Sequence, residues 1–280
     1  MTRVSVVVTS HNRLDFLKRA VGSVLDQEYP DIEVIVTDDH STDGSWEWIR
    51  RMSAERGIVG IRQKNNFGAP TRPRNDGLFA STGGIVNFLD EDNLFCPGRV
   101  ISMVGEIRGG VDLVYCLSQC FNDGRPVNPP WGFPPEAFDS SLLKRKNYID
   151  TAEPAIRREA IGRVGFFDER LEWNEEWDLW RRFDAARCGI MCIPQMWNHY
   201  TIHRQESRSG RMEIRRASNA RIVAKHRALL KRFRAEVSFG GSTMSFDTLG
   251  QFDGPEVKEH EVIVCRGGEE TPARVSVAVK

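Results

Sequence analysis

The sequence predicts an α/β protein: a mostly parallel sheet flanked by helices, with a small β-rich appendage at the C-terminal end. Three observations carry this. The runs "VSVVV" (4–8), "EVIVT" (33–37) and "IVNFL" (85–89) are almost continuously apolar and rich in β-branched residues, the pattern of strands covered on both faces. Between the first two, Leu14, Leu17, Val21, Val24 and Leu25 recur at helical spacing. After about residue 210 the character changes to a basic stretch and then to short alternating runs.

Taken in order, the first strand and helix lead to the strand at 33–37. "STDGSWEWIRRM" then opens with Ser and Asp suited to capping and continues as a helix carrying Trp46, Ile49 and Met52. "IVGI" (58–61) is a short strand, a helix is expected in the seventies, and the strand at 85–89 follows. Strand and helix alternating in this way imply right-handed crossovers and a parallel sheet. Residues 122–148 hold five prolines and predict a long loop. "EPAIRREAIGRVGFFDERL" (153–171) predicts a helix and turn, and "RMEIRRASNARIVAKHRALLKRFRAE" (211–236) a basic helix with Ile214, Ala217, Ile222, Leu229 and Leu230 along an apolar stripe. The segment 237–280 predicts the β appendage, through "EVIVC" and "ARVSVAV".

Composition removes several function classes. The chain of 280 residues balances 39 basic against 39 acidic residues and has no basic stripe interleaved with aromatics, so no nucleic-acid partner is expected. No stretch reaches the roughly 18 apolar residues of a membrane helix, and the N-terminus reads as a strand, not a signal peptide. The six cysteines are scattered; two pairs have C-x3-C spacing but no accompanying histidine cluster, and buried free thiols are expected.

Parallel sheets bind ligands at the carboxyl ends of their strands. That rule gives one address to Thr9, His11, Asn12 and Arg13 after the first strand, Asp38 and Asp39 after the second, and Asp90, Glu91 and Asp92 after the strand at 85–89. One acidic turn is commonplace; three converging strand ends with this much carboxylate point to a site. Hard divalent cations, Mg²⁺ or Mn²⁺, are bound by one or two carboxylates plus substrate phosphates. If the chain stays extended, Asp90 and Asp92 face one ligand and Glu91 points elsewhere. The absence of both G-x-x-x-x-G-K-[ST] and G-x-G-x-x-G removes the main support for nucleotide hydrolases and dinucleotide reductases.

"VSVVVTSHNR", "IEVIVTDDHSTDGS", "NNFGAPTRPRNDGLFASTGGIVNFLDEDN" and "NEEWDLWRRF" together resemble the landmarks of the inverting family 2 glycosyltransferases, over about residues 3–210. The resemblance implies the GT-A fold, a Rossmann-like sheet with a nucleotide-sugar-binding half (1–115) continuous with an acceptor-binding half (116–210), leaving 211–280 as an extension. It implies transfer of a sugar from a nucleoside diphosphate sugar, with a UDP-sugar favoured, to an acceptor hydroxyl. By position, Thr9 to Arg13 match the turn around the nucleoside, Asp38 or preferably Asp39 the acid that bonds the base, and Arg74 and Asn75 the "A-R-N" segment. Asp92 matches the metal ligand, with Asp90 nearer the ribose, and Mn²⁺ or Mg²⁺ is the implied cofactor.

The same resemblance puts the catalytic base in "NEEWDLWRRF". Glu176 stands where the family usually has Asp, with Glu175 just before it, and either acid is a candidate; acids in a helix's first turn also favour its dipole without any catalytic duty. His203 matches a histidine near the diphosphate or metal, and Arg204 and Arg208 lie beside it. Trp131, Phe133 and Trp173 are candidates to stack on a sugar ring. Departures from the family pattern are His11 where tyrosine is common, Pro70 and Pro73 in a loop that is usually freer, and Asn93 in place of a third acid.

Two other readings stay open, a non-catalytic relative that binds a sugar nucleotide or glycan and a sugar-1-phosphate nucleotidyltransferase, although "TSHNR" lacks the glycine-rich turn of the latter. The acceptor, whether glycan, lipid-linked or small molecule, is not legible. A cytoplasmic location, with peripheral membrane contact through the basic helix, and a homo-oligomer formed through the extension are expectations.

Overall fold

The computed structural model describes residues 1–128, 135, 137–202, 212–227, 231–250 and 256–279. Its first ninety residues follow the expected order: β1 (Val4–Ser10), α1 (Leu14–Leu25), β2 (Ile32–Asp38), α2 (Ser45–Arg56), β3 (Val59–Gln63), α3 (Thr71–Ala80) and β4 (Ile85–Asp90). The strands lie β3-β2-β1-β4 and are all parallel, with Val6 opposite both Val34 and Asn87.

Along β1 the side chains part by alternation. Val4, Val6 and Val8 enter one core with Leu17, Val21, Trp46 and Ile49, whereas Val7 enters the other with Ile35, Leu78 and Phe88. Helices cover both faces, so both register positions are predominantly apolar, and the buried exceptions Ser5 and Asn87 are hydrogen-bonded, to Glu33 and Arg99. Helix α3 approaches β1 so closely that a Cβ on Gly77 would fall 2.3 Å from Val7 Cγ1. Pro70 is the N-cap of α3 and Pro73 lies in its first turn, where a missing N–H costs nothing; the prolines start a helix and do not stiffen a loop.

The chain continues through β5 (Leu94–Phe95), α4 (Arg99–Arg108), β6 (Leu113–Asn122), β7 (Arg125–Val127), α5 (Ser140–Leu143), β8 (Pro154–Arg157), α6 (Arg158–Val164), α7 (Glu175–Ala185) and β9 (Ile190–Ile202). The helix expected from 153 thus begins as a strand. β8 slots antiparallel between β4 and β6, burying Ala155 and Ile156, with its proline at the first strand position where no ladder donor is needed. The expected long loop at 122–148 contains the β6–β7 hairpin and α5.

The C-terminal region departs most from expectation. Helix α8 (Met212–Arg227) ends well before 236, and β10 (Lys231–Phe239) begins inside the stretch read as helical. From Arg234 to Phe239 exposed or half-buried residues alternate with buried Ala235, Val237 and Phe239, a period of two that overrides the helical appearance of its charges. β10, β11 (Ser242–Gly250), β12 (Glu256–Arg266) and β13 (Glu269–Val279) form the β-rich extension expected there. They continue the main sheet in the order β11-β10-β13-β12-β3, with β12 antiparallel to β3. No helix among the described residues is long and apolar enough to cross a membrane.

Candidate active site

The carboxyl ends of β1, β2 and β4 do meet, and hydrogen bonds tie them together. Thr9 Oγ1 donates to Asp90 Oδ1 at 2.9 Å, and Arg13 Nη1 to Asp92 Oδ2 at 2.7 Å. His11 Nδ1 lies 2.8 Å from the carbonyl of Asp39, while the amides of Asn12 and Asn66 reach its Nε2 at 3.1 and 3.0 Å. An acceptor at one nitrogen and amide donors at the other assign the proton to Nδ1. Asn12, with left-handed backbone (φ 53°), accepts from Thr42 N through Oδ1.

Asp38 and Asp39 are both used inside the fold. Asp38 is fully buried, accepts from Ser41 N and lies 3.5 Å from Arg62 Nε; burial raises its pKa. Asp39 accepts from the amides of Phe67 and Gly68 at 2.8 and 3.1 Å and so shapes the loop before α3. Asp43 does cap helices: it accepts from Leu14 N at the start of α1 and from Ser45 N at the start of α2.

The three acids after β4 are not arranged as an extended D-x-D. The chain turns at once, with Asn93 N donating to the carbonyl of Asp90 at 3.0 Å. Asp90 therefore faces Arg74 and Thr9, while Glu91 and Asp92 both lie against Arg13, at 3.9 and 2.7 Å. Glu91 does not point elsewhere, as strand alternation would have it. Burial, then the charges of Asp92 and Asp90, push its pKa well above the usual range. Asn93, in the position of a third acid, accepts from Thr201 N and fastens the turn to β9.

Arg74 is the hinge of the site. It is 4 % exposed, and its guanidinium donates to both oxygens of Asp90 (2.7 and 2.9 Å) and to Glu175 Oε1 (2.7 Å). Burial works against its charge, yet Asp90 and Glu175 outweigh burial and raise its pKa. One residue thereby links the end of β4 to the first turn of α7. Asn75, its neighbour, is fully buried and its amide exchanges hydrogen bonds with the backbone of Phe167; it seats the helix and does not face the cleft.

The two candidate bases differ sharply. Glu175 is locked to Arg74. Glu176 accepts from Asn147 Nδ2 at 2.6 Å and has its pKa raised to about 8, by burial first and then by the charge of Glu175. The tryptophans of "WDLW" are structural: Trp177 Nε1 donates to the carbonyl of Leu143 and Trp180 Nε1 to that of Ile149. They dock α7 onto the 143–149 segment. Trp173 lies beside Arg215 of α8, its enclosed indole N–H meeting no acceptor among the described residues. His203, Arg204, Arg208, Trp131 and Phe133 lie outside the described residues.

Asp150 was missed by sequence reasoning. It sits in a loop without a motif, and only folding brings it to the cluster; burial and then Asp90 raise its pKa to about 7. Asn147 was missed for the same reason. The basic helix α8 is not simply a solvated face. Lys225 Nζ lies 2.9 Å from Asp178 and 3.0 Å from Asp168, and His226 Nε2 lies 2.9 Å from Asp178.

Among the described residues no three of His, Cys, Asp and Glu converge as a preformed metal cage. The site instead offers carboxylate oxygens at the end of β4, the hard-donor set of a cation that completes its shell with substrate phosphate.

Comparison with known proteins agrees with this architecture. The chain is 36% identical over 200 residues to an uncharacterized glycosyltransferase of Nostoc sp., covering 68% of this chain and 59% of that protein. It is 28% identical over 120 residues to the GalNAc(5)-diNAcBac-PP-undecaprenol beta-1,3-glucosyltransferase of Campylobacter jejuni, covering 42% of this chain and 39% of that protein. It thus spans less than two thirds of the length of these two curated relatives. Among solved structures, S. aureus TarS 1-349 in complex with UDP superposes with a TM-score of 0.61 at 19% identity, covering 79% of this chain and 64% of that one. The mannosyltransferase PcManGT of Pyrobaculum calidifontis, in complex with GDP-Man and Mn²⁺, gives 0.60 at 20% identity, covering 80% and 63%. These likenesses establish the GT-A fold. The family model described as Glycosyl transferase family 2 matches residues 5–165, more than half of the chain, and the protein belongs to that family.

Proposed function

We propose that the protein is an inverting, metal-dependent glycosyltransferase that moves a sugar from a nucleoside diphosphate sugar, a UDP-sugar favoured, to an acceptor hydroxyl, with Glu176 as general base. One observation carries the reading: Arg74 joins the carboxylate cluster at the end of β4 to the acids opening α7, so that donor and base functions share one cleft. Of the two acids, Glu176 is the better base. Its carboxylate accepts from the neutral Asn147, whereas that of Glu175 is paired with Arg74, and a pKa near 8 makes it a stronger proton acceptor than an ordinary glutamate. Glu175 then acts by holding Arg74.

Asp90 and Asp92 are the residues that would hold Mn²⁺ or Mg²⁺, with His203 added by the family resemblance. The crowding of Glu91, Asp92 and Asp90 supports a cation there, since a divalent ion relieves their repulsion. When bound, such an ion neutralises charge developing on the leaving diphosphate. Thr9 and Arg13 orient the two metal-side carboxylates, and His11, Asn12 and Asp39 border the nucleoside end. Asp39, 6 % exposed against 0 % for Asp38, is the more accessible acid for the base. The TarS complex with UDP-GlcNAc and the PcManGT complex with GDP-Man give precedent on this fold for both donor types.

Calorimetric titration with UDP, dTDP, GDP and CDP, each with Mn²⁺ and again with EDTA, tests the donor side. Tight binding of one nucleotide that EDTA abolishes is expected. Binding indifferent to metal would remove Asp90 and Asp92 from their proposed role, and no binding at all would favour a non-catalytic relative.

A further inference from the structure

The extension β10–β13 lies wholly outside residues 5–165, yet it reaches the support of Arg74. The register of β12 on β3 pairs Val262 with Gln63 and Cys265 with Gly60. That pairing delivers His260, two residues earlier, to α3. Its Nε2 lies 2.9 Å from both carboxylate oxygens of Asp76, whose side chain is 0 % exposed. Gln63 Nε2 donates to Asp76 Oδ2 from the other side at 2.5 Å. A buried carboxylate is costly unless charge or hydrogen bonds compensate it, and here His260, one of its two side-chain partners among the described residues, comes from the extension.

A second contact acts on the same helix. Phe246 of β11 packs against Phe79 of α3 and Phe166, with ring centroids 6.0 and 5.5 Å away, and Phe79 and Phe166 meet edge to face at 5.3 Å. The next residue, Phe167, lies under the Arg74 guanidinium (5.5 Å), and its backbone exchanges hydrogen bonds with the side-chain amide of Asn75. On its other side α3 has no slack, because Gly77 sits against Val7 without room for a Cβ. The helix is therefore gripped between β1 and the extension, two residues from the arginine that bridges Asp90 and Glu175.

We propose that the C-terminal four-stranded extension is a brace for the active-site arginine, in which His260, acting through Asp76, is a positioning residue for Arg74. The proposal deepens the function proposed above and rests on it. Any variation in the extension that moved His260 would tune the placement of Arg74 without touching a residue of the cleft.

The test uses the full chain carrying His260→Leu, His260→Gln, Arg74→Lys and the His260→Leu/Arg74→Lys double, with Arg274→Ala, an exposed ion pair of the same extension, as control. Three readouts are taken: kcat and donor KM with Mn²⁺, hydrogen exchange of the α3 amides, and Tm. His260→Leu is expected to lower kcat about tenfold with donor KM changed less than threefold and to loosen α3. His260→Gln, which keeps an N–H donor, is expected to recover most of the loss, and the double variant to be no slower than Arg74→Lys alone. Should His260→Leu fail to fold, Asp76→Asn, which removes the charge from the same link, is expected to give the same losses. A lowered Tm with kcat and α3 exchange unchanged, or fully additive losses in the double variant, would overturn the brace. If the wild type turns over no nucleotide sugar, the functional reading fails separately. The brace is then decided by exchange alone: loosened α3 amides in His260→Leu support it, and unchanged protection sinks it.

Discussion

Helix α7 feeds two acidic clusters that share a sequence neighbourhood and little else. Asp178 is fully enclosed and meets Arg182 at 3.0 Å, Lys225 at 2.9 Å and His226 at 2.9 Å. Burial alone would raise its pKa; Lys225, Arg182 and His226 overcome burial and hold it well below the usual carboxylate range. Two positions earlier, Glu176 faces the cleft with a neutral asparagine as its hydrogen-bond donor and Glu175 beside it, and its pKa moves the opposite way, to about 8. Net charge at each carboxylate decides the difference. A compensated acid stays ionised and holds α7 to α8, whereas an acid left short of positive charge keeps its proton to higher pH.

The comparison breaks most visibly at Glu176. Glu176→Gln is expected to lower kcat by roughly 10²- to 10⁴-fold, the usual contribution of a positioned base, with metal-dependent nucleotide affinity retained in calorimetry. Unchanged turnover would transfer the role of base to another acid. Asp178→Ala is expected to do the reverse. It takes the carboxylate from Arg182, Lys225 and His226, whose side chains are 2, 7 and 5 % exposed, although Lys225 keeps Asp168 and Arg182 keeps the carbonyls of Val164 and Phe166; breaking one side of such a buried network costs about 3–5 kcal/mol. Urea unfolding measures this, and a loss below about 1 kcal/mol would mean that water takes over the role of Asp178.

The smallest effect is in pH dependence. Glu176 keeps its proton in the folded chain at pH values where the unfolded chain has lost it. Folding stability contributed by this residue is therefore present below its ordinary pKa near 4.5 and declines as pH rises to about 8. Asp150 adds a decline of the same sign from its ordinary value near 3.8 up to about 7. In Glu176→Gln the segment of the stability curve between 7 and 8 is expected to flatten, measured by denaturant midpoints across pH. Over the same segment kcat/KM of the wild type should rise as the base ionises. A stability curve unaltered by the substitution would show that the cleft is wetter than its geometry indicates.

Local pattern carried the parallel half of the fold. Strands β1 to β4 lie within one or two residues of the runs read from the sequence, because strands covered on both faces must be predominantly apolar and the turns after them must be polar. The same logic located the strand-end residues, since the sheet rule alone brings Thr9, Arg13, Asp90 and Asp92 together. It failed where partners come from afar. "PAIR" at 154–157 looks like the start of the helix that follows it and becomes a strand only because β4 and β6 leave a slot. The stretch from Lys231 carries helix-like charge, but its alternation emerges only when β13 supplies a partner. The turn after Asp90 defeated the extended D-x-D arrangement, since Arg13 draws Glu91 and Asp92 to the same side.

By itself the sequence determined the α/β order, the edge at which the strand-end residues gather and the concentration of acid there, all of which follow from period, turn chemistry and chain direction. Tertiary structure alone decided what each acid is for. Glu175, Glu176 and Asp178 are near neighbours in one helical turn. One is tied to Arg74 on α3, one to Asn147, and one to Lys225 and His226 on α8, and none of these partners is adjacent in the chain. The recruitment of His260 from β12 to Asp76 belongs with them. The physical reason is common to all: the energy of a buried charge is set by the charges and donors within a few ångströms of it, and packing, not sequence spacing, chooses them.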